Sequence, residues 1–216
     1  MTKPNEGQGL CHPTHQLSIR PVLAAIELGA VPDVMHGALN AAHHANRQSA
    51  QDDRIAVALP GMHVHRGLAR PGHEIVLFGS PDALIRVLTL EGVERLVRRG
   101  MTETLEVFEA FADPGERGTA YVRDRSKTAL GPSAIRRMRR RATERGEPEP
   151  EIGRQHPDRT VLALHFGSAV VHVREDEGTV SGGPVTVSTY GFSSPSSPAV
   201  LPVLPNQTVP RFDDAA

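Results

Sequence analysis

The order in which strand and helix patterns follow one another over the first hundred or so residues constrains this chain most. Gln16 to Arg20 alternates, with Leu17 and Ile19 on one side, as a half-buried strand does. Asp33 then reads as the N-cap of a helix running to about Arg47, with Met35, Leu39 and Ala42 as its apolar stripe. Arg54 to Leu59 and Glu74 to Phe78 read as strands, separated by a loop rich in His and Arg between Gly61 and Gly72. Ser80-Pro81-Asp82 is a helix start, with Ser as cap and Pro in the first turn. That helix continues, with a break at Gly92, to a stop at Gly100, and Leu105 to Phe111 is a fourth strand. The order β-α-β-β-α-β predicts an α+β fold whose N-terminal domain, residues 15–112, is ferredoxin-like, the arrangement also used by RNA-recognition modules. The aromatic stacking signature of those modules is absent from the strands, so the sheet face is not expected to be an RNA platform.

Past Asp113-Pro114-Gly115 the composition changes, and residues 113–194 read as a second, RNA-binding C-terminal domain. Residues 120–127 are extended and basic. A helix over about residues 132–145 follows, with Ile135, Met138 and Ala142 on one face and arginines on the other. Three strands, 160–166, 169–174 and 185–190, form a small antiparallel sheet. Residues 1–14 read as a disordered start and residues 195–216 as a Ser/Pro-rich tail.

Charge is concentrated in one place. Arg117 to Arg145 holds ten basic residues against Asp124 and Glu144, in a chain whose formal net charge is −1. Arg136/Arg140 and Arg137/Arg141 are like-charge i,i+4 pairs, which destabilise an isolated helix. A polyanion that neutralises them explains their presence better than a solvated face does. The helix signals nucleic acid strongly, while RNA over DNA stays open on spacing alone.

The remaining chemistry is histidine. The chain has 11, and no HExxH, P-loop, GxSxG or Gly-rich dinucleotide motif. His36 lies with Asn40, His43 and Arg47 on a stripe distinct from the apolar one, where it is either a proton-transfer group or a surface residue. His43 and His44 read as surface residues. His63 and His65 offer two metal ligands on one strand face, without a third in reach. Asp52-Asp53 and Glu175-Asp176-Glu177 read as solvated carboxylates on turns. No metal site and no cofactor is expected. The single Cys11 excludes an intrachain disulfide, and no stretch approaches 18 apolar residues, so a soluble intracellular protein is expected. A nuclease built from these residues is metal-independent, with a His moving a proton as a ribose 2′-hydroxyl attacks the adjacent phosphate.

Several segments, taken in order, resemble the CRISPR RNA-processing endoribonucleases of subtype I-F, the CRISPR-associated family-six enzymes of the Csy type. His15 to Arg20 resembles the family's first strand. Met35 to Leu39 with Arg54 to Pro60 is similar to its catalytic-histidine helix and next strand. Arg123 to Arg141 resembles its basic strand and arginine-rich helix. Thr189 to Ser193 resembles its last strand, and Val209 to Phe212 its end. The resemblance implies an enzyme that cleaves the CRISPR repeat hairpin at the base of its stem and stays bound as a subunit of a surveillance complex in the cytoplasm. It implies His36 as the catalytic histidine and Tyr190 near the scissile phosphate. Arg123, Arg125 and Lys127 fall on the linker strand against the lower stem; the family often has an amide where Arg125 stands. Arg136 and Arg140 enter the major groove, beside Arg137, with Arg139 and Arg141 on phosphates. The hydroxyl partner of the histidine is Ser168, or His165 in its place, and Phe166 is the stacking residue. The alternative reading is a subunit that binds and caps a guide RNA without cutting it, including one in a transposon-associated complex. On either reading, binding weakens steeply with salt. Each phosphate-contacting Arg replaced by Ala should lower the slope of log K against log salt by about 1, measured by fluorescence anisotropy across a salt series.

Overall fold

The computed structural model describes residues 7–65, 68–110, 113–124, 132–146, 148, 161–166 and 169–202. It is a mixed α+β chain with antiparallel sheets and five helices among the described residues. The strands are β1 (Gln8–Cys11), β2 (His15–Ile19), β3 (Ala56–Ala58), β4 (His63–His65), β5 (Leu68–Arg70), β6 (Ile75–Gly79), β7 (Val107–Glu109), β8 (Arg117–Asp124), β9 (Leu162–Phe166), β10 (Ala169–Thr179), β11 (Val185–Ser188) and β12 (Val200–Pro202). The helices are α1 (Leu23–Glu27), α2 (Val31–Gln48), α3 (Pro81–Leu88), α4 (Glu91–Arg98) and α5 (Pro132–Arg145).

One four-stranded sheet has the order β3-β6-β2-β7 and is antiparallel throughout. Its central strands follow from sequence: β6, Ile75-Val-Leu-Phe-Gly79, is buried along its whole length, as a strand covered on both faces must be. A second sheet has the order β12-β8-β10-β9, built on the long β8–β10 pairing that sets Tyr121 opposite Glu175. The short sheets β1–β11 and β4–β5 complete the described strands.

The helices obey their end signals. Ser80 Oγ accepts from the Ala83 N–H at 3.1 Å, as an N-cap should, with Pro81 at the first position of α3. The expected break comes at Thr89 and Leu90, just ahead of Gly92, which separates α3 from α4. Helix α2 begins three residues earlier than expected, capped by Ala30, so Asp33 sits in its first turn, where a carboxylate favours the positive helix end, and is not its cap. The apolar side of α2 (Val34, Met35, Ala38, Leu39, Ala42 and Ala45) is buried. It meets α3, α4 and β6, and α2 also lies against β9 of the other sheet.

The two halves share one apolar core. Leu17, Val57, Leu77 and Phe78 belong to the same cluster as Tyr121, Leu162, Val171, Val187 and Phe192. The expected boundary near residue 112 is therefore a change of composition and not a gap in packing. Tyr121 spans the halves: its ring is 5% exposed, and its hydroxyl meets Glu175 and the backbone of Leu59. Burial, then Glu175, push that hydroxyl above the ordinary phenol range, and burial raises the Glu175 carboxyl in turn.

Three sequence expectations need correction. Residues 8–11 are not a disordered start: they pair with β11, and Cys11 is fully buried. Within the Ser/Pro tail, whose order the sequence left open, β12 pairs with β8. Glu175-Asp176-Glu177 lies within β10, facing Tyr121, Ala120 and Thr119, and not on a turn. The loop 61–72 contains the β4–β5 hairpin. Strand pairing decided each case, which the local residue pattern does not announce. Among the described residues no helix is long and apolar enough to cross a membrane.

Asn46 fastens the end of α2 to the approach to β3. It is fully buried, its Nδ2 donates to the Ile55 carbonyl at 2.9 Å, and its Oδ1 accepts from the Ile55 N–H at 2.7 Å. Asn46→Ala leaves both backbone groups without partners in the core and should cost about 2–4 kcal/mol. The measurement is the urea midpoint at unchanged m-value.

Candidate nucleic-acid interface

The turn after β11 places the residues that matter most. Gly191 adopts a left-handed φ of 81°, which lets its N–H bond the Ser188 carbonyl at 2.9 Å. Its own carbonyl accepts from the Val57 N–H of β3 at 2.9 Å, and the Thr189 N–H bonds the Gly7 carbonyl at 2.8 Å. There is no room for a side chain at Gly191: a Cβ would lie 2.4 Å from Val57 Cγ2. The turn is thus docked on both β3 and the start of β1, and Tyr190 at its apex is half-buried.

Two groups meet the Tyr190 ring. The His43 imidazole stacks on it with ring centres 4.3 Å apart and planes 2° from parallel. The Arg123 guanidinium lies over it at 5.0 Å. Arg123 is held there because its N–H bonds the Ser193 carbonyl at 2.8 Å, while the Ser193 N–H bonds the Tyr121 carbonyl at 3.0 Å. Such a ring pair contributes about 0.5–1.5 kcal/mol, and the cation about 0.5–1 kcal/mol at a partly exposed site.

His43 is oriented as well as packed. Its Nδ1 lies 2.9 Å from the Thr189 carbonyl oxygen, an acceptor, so Nδ1 donates and the neutral ring carries its lone pair on Nε2. Burial pushes its pKa below the ordinary 6.5, opposed by the Thr189 hydrogen bond and helped by Arg47 and His44. Folding thus favours the neutral ring. That contribution is lost as pH falls below about 6.5 toward the folded-state value.

The predicted residues fall as follows. Tyr190 and Arg123 come together. His36 is exposed on α2, seven residues and about 10 Å along the helix axis from His43, and makes no described contact with Tyr190 or Arg123. His165 is exposed on β9, opposite Val170. Phe166 ends β9, but its side chain lies outside the described residues, as do Arg125, Lys127 and Ser168. Arg136, Arg137, Arg139, Arg140 and Arg141 are all exposed on α5. On that helix Arg140 Nε pairs with Glu144 at 3.4 Å, a contact between two largely exposed side chains that is worth little. Met138, expected to face inward, is 41% exposed, while Ala142 is buried.

Sequence reading passed over His43. The signal was its spacing of seven from His36, which puts both on the polar stripe of α2; only the docking of the Tyr190 turn distinguishes them. Among the described residues no cluster of His, Cys, Asp or Glu could hold a metal ion. Gly191→Ala forces a side chain into buried Val57 at a left-handed φ and should cost about 2–4 kcal/mol. Thermal unfolding measures the loss, and near-ultraviolet dichroism should report a displaced Tyr190. Compared with known proteins, the chain matches no protein-family model and no curated protein.

Proposed function

We propose that this chain binds an RNA hairpin through α5 and cleaves it, without a metal, at the His43–Tyr190–Arg123 cluster. The cluster carries the reading: a neutral, oriented histidine stacked on a tyrosine beside an arginine, in the same chain as an exposed helix bearing five arginines in six positions. The strand order β3-β6-β2-β7 with α2 and α3–α4 between them supports a ferredoxin-like reading of the N-terminal half. The resemblance to the subtype I-F processing enzymes suggests the hairpin of a CRISPR repeat as substrate, retention of the cut product, and other subunits of a cytoplasmic surveillance complex as partners.

The chemistry follows from the groups present. His43 Nε2 takes the proton of a ribose 2′-hydroxyl. The 2′-oxygen bonds to the adjacent phosphorus, and the bond from phosphorus to the 5′-oxygen breaks. The 5′-oxygen leaves with a proton drawn from water, giving a 2′,3′-cyclic phosphate and a 5′-hydroxyl. Arg123 supplies positive charge where the phosphorane gains negative charge. Arg136, Arg137, Arg139, Arg140 and Arg141 grip the stem, by forked bonds to guanine edges or to phosphates. His36 lies along the same stripe of α2 and is the competing candidate for the proton transfer.

A second reading rests on the exposed arginine face alone. A subunit that only caps a guide RNA needs α5 but no oriented base, and in it the His43–Tyr190 stack is packing.

His43→Ala should reduce single-turnover cleavage of the repeat hairpin by at least a hundredfold in EDTA while leaving hairpin affinity within about threefold. His36→Ala should cut normally. The reverse pattern transfers the role to His36, and no cleavage by the parent chain leaves the capping reading. In the active chain the rising limb of rate against pH should inflect below 6.5, because the neutral base persists to lower pH than an ordinary histidine. A 2′-deoxy nucleotide at the cut site should block cleavage without weakening binding.

A further inference from the structure

The β4–β5 hairpin takes no part in the cluster described above, and its build is unusual for a connection. Between Gly61 and Gly72 the chain carries His63, His65, Arg66 and Arg70 and not one acidic residue. The base of the hairpin is a clasp of two glycines. Gly72 has a φ of 75°, and a Cβ there would lie 2.4 Å from the Gly61 carbonyl oxygen, so the two backbones touch where any other residue would force them apart.

An isolated two-stranded ribbon is marginal in water. This one is supported on one side, because β5 lies against β9, the edge strand of the second sheet. Covering that edge accounts for β5. It does not account for β4, whose three residues His63, Val64 and His65 are all exposed, Val64 by 52%. His63 is also oriented, with Nδ1 2.9 Å from the Gly61 carbonyl, which leaves Nε2 on the far side of the ring. Arg70, opposite His63 in the register, is exposed. The hairpin is joined to the candidate site through packed elements: β5 meets β9, and β9 meets α2, the helix that carries His43.

We propose that the β4–β5 hairpin is a second RNA contact, which holds the unpaired nucleotides flanking the stem. The inference rests on the RNA-hairpin reading given above. Flat imidazoles stack on unpaired bases, an exposed aliphatic side chain packs beside them, and a guanidinium bonds the phosphates between. The absence of any carboxylate along the ribbon removes the repulsion that a polyanion would otherwise meet. A duplex stem presents no free base faces, so unpaired RNA is the form of the ligand that these side chains fit.

The test compares two RNAs by anisotropy: the stem-loop alone and the same stem-loop with an unpaired flank. The flank should tighten binding to the parent chain. His63→Ala/His65→Ala/Arg70→Ala should bind the flanked RNA about tenfold more weakly and the bare stem-loop as the parent does, which also shows that the variant is folded. Should the triple variant misfold, Arg70→Gln alone changes one exposed side chain, and it should lower the salt slope for the flanked RNA by about 1 with no change for the bare stem-loop. Equal affinity of parent and variant for the flanked RNA, or no gain from the flank, overturns the inference and leaves the hairpin-binding reading intact. A parent chain that binds neither RNA overturns both.

Discussion

The docking of one tight turn against β3 and β1 organises the candidate site. The Gly191 carbonyl accepts from Val57, the Thr189 N–H reaches Gly7, and the Thr189 carbonyl accepts a hydrogen bond from His43 Nδ1. These three bonds join the end of the chain to its beginning, to a strand of the first sheet and to its longest helix. Neither the Tyr190 ring nor the His43 imidazole is held by its own element. Each is held by what the turn touches, and the turn fits only because residue 191 has no side chain.

The same economy governs the body of the molecule. Two buried polar side chains act as fasteners between elements: Asn46 takes both backbone groups of Ile55, and Tyr121 joins β8 to Glu175 and Leu59. Such bonds add little net stability when made and cost much when broken, so they specify one arrangement of the two halves over others of similar burial. The shared apolar core then makes the halves one packed body, to which the short strands β1 and β12 contribute Cys11 and Leu201.

The arginines follow a different physical rule. A guanidinium on an exposed helix keeps its hydration until a polyanion replaces it, so the free protein bears the like-charge repulsion of α5 as a standing cost. With the oriented His43 in a half-buried setting, this gives two environments in one chain: a solvated, strongly charged helix surface and a partly desolvated ring stack. Of the carboxylates that the sequence offered as solvated turn residues, Glu175-Asp176-Glu177 went elsewhere, into β10.

Local pattern alone decided a good deal. The periodicity of α2, the Ser80-Pro81 start of α3, the apolar run of β6 and the arginine spacing of α5 are short-range signals, and each element formed close to where its residues placed it. Tyr190 and Arg123 were legible as candidates by type and order. What sequence left undecided was every question of neighbourhood. His36 and His43 lie on one helical stripe and differ in no local property; the distinction arises from a turn more than 140 residues later. The strands β1 and β12, four and three residues long, are too short to signal themselves, and the β4–β5 hairpin is hidden in a loop by its glycines and basic residues. For β1 and β12, long-range backbone pairing supplied the free energy that local propensity lacked, and pairing partners far apart in the chain leave no periodic trace in either segment.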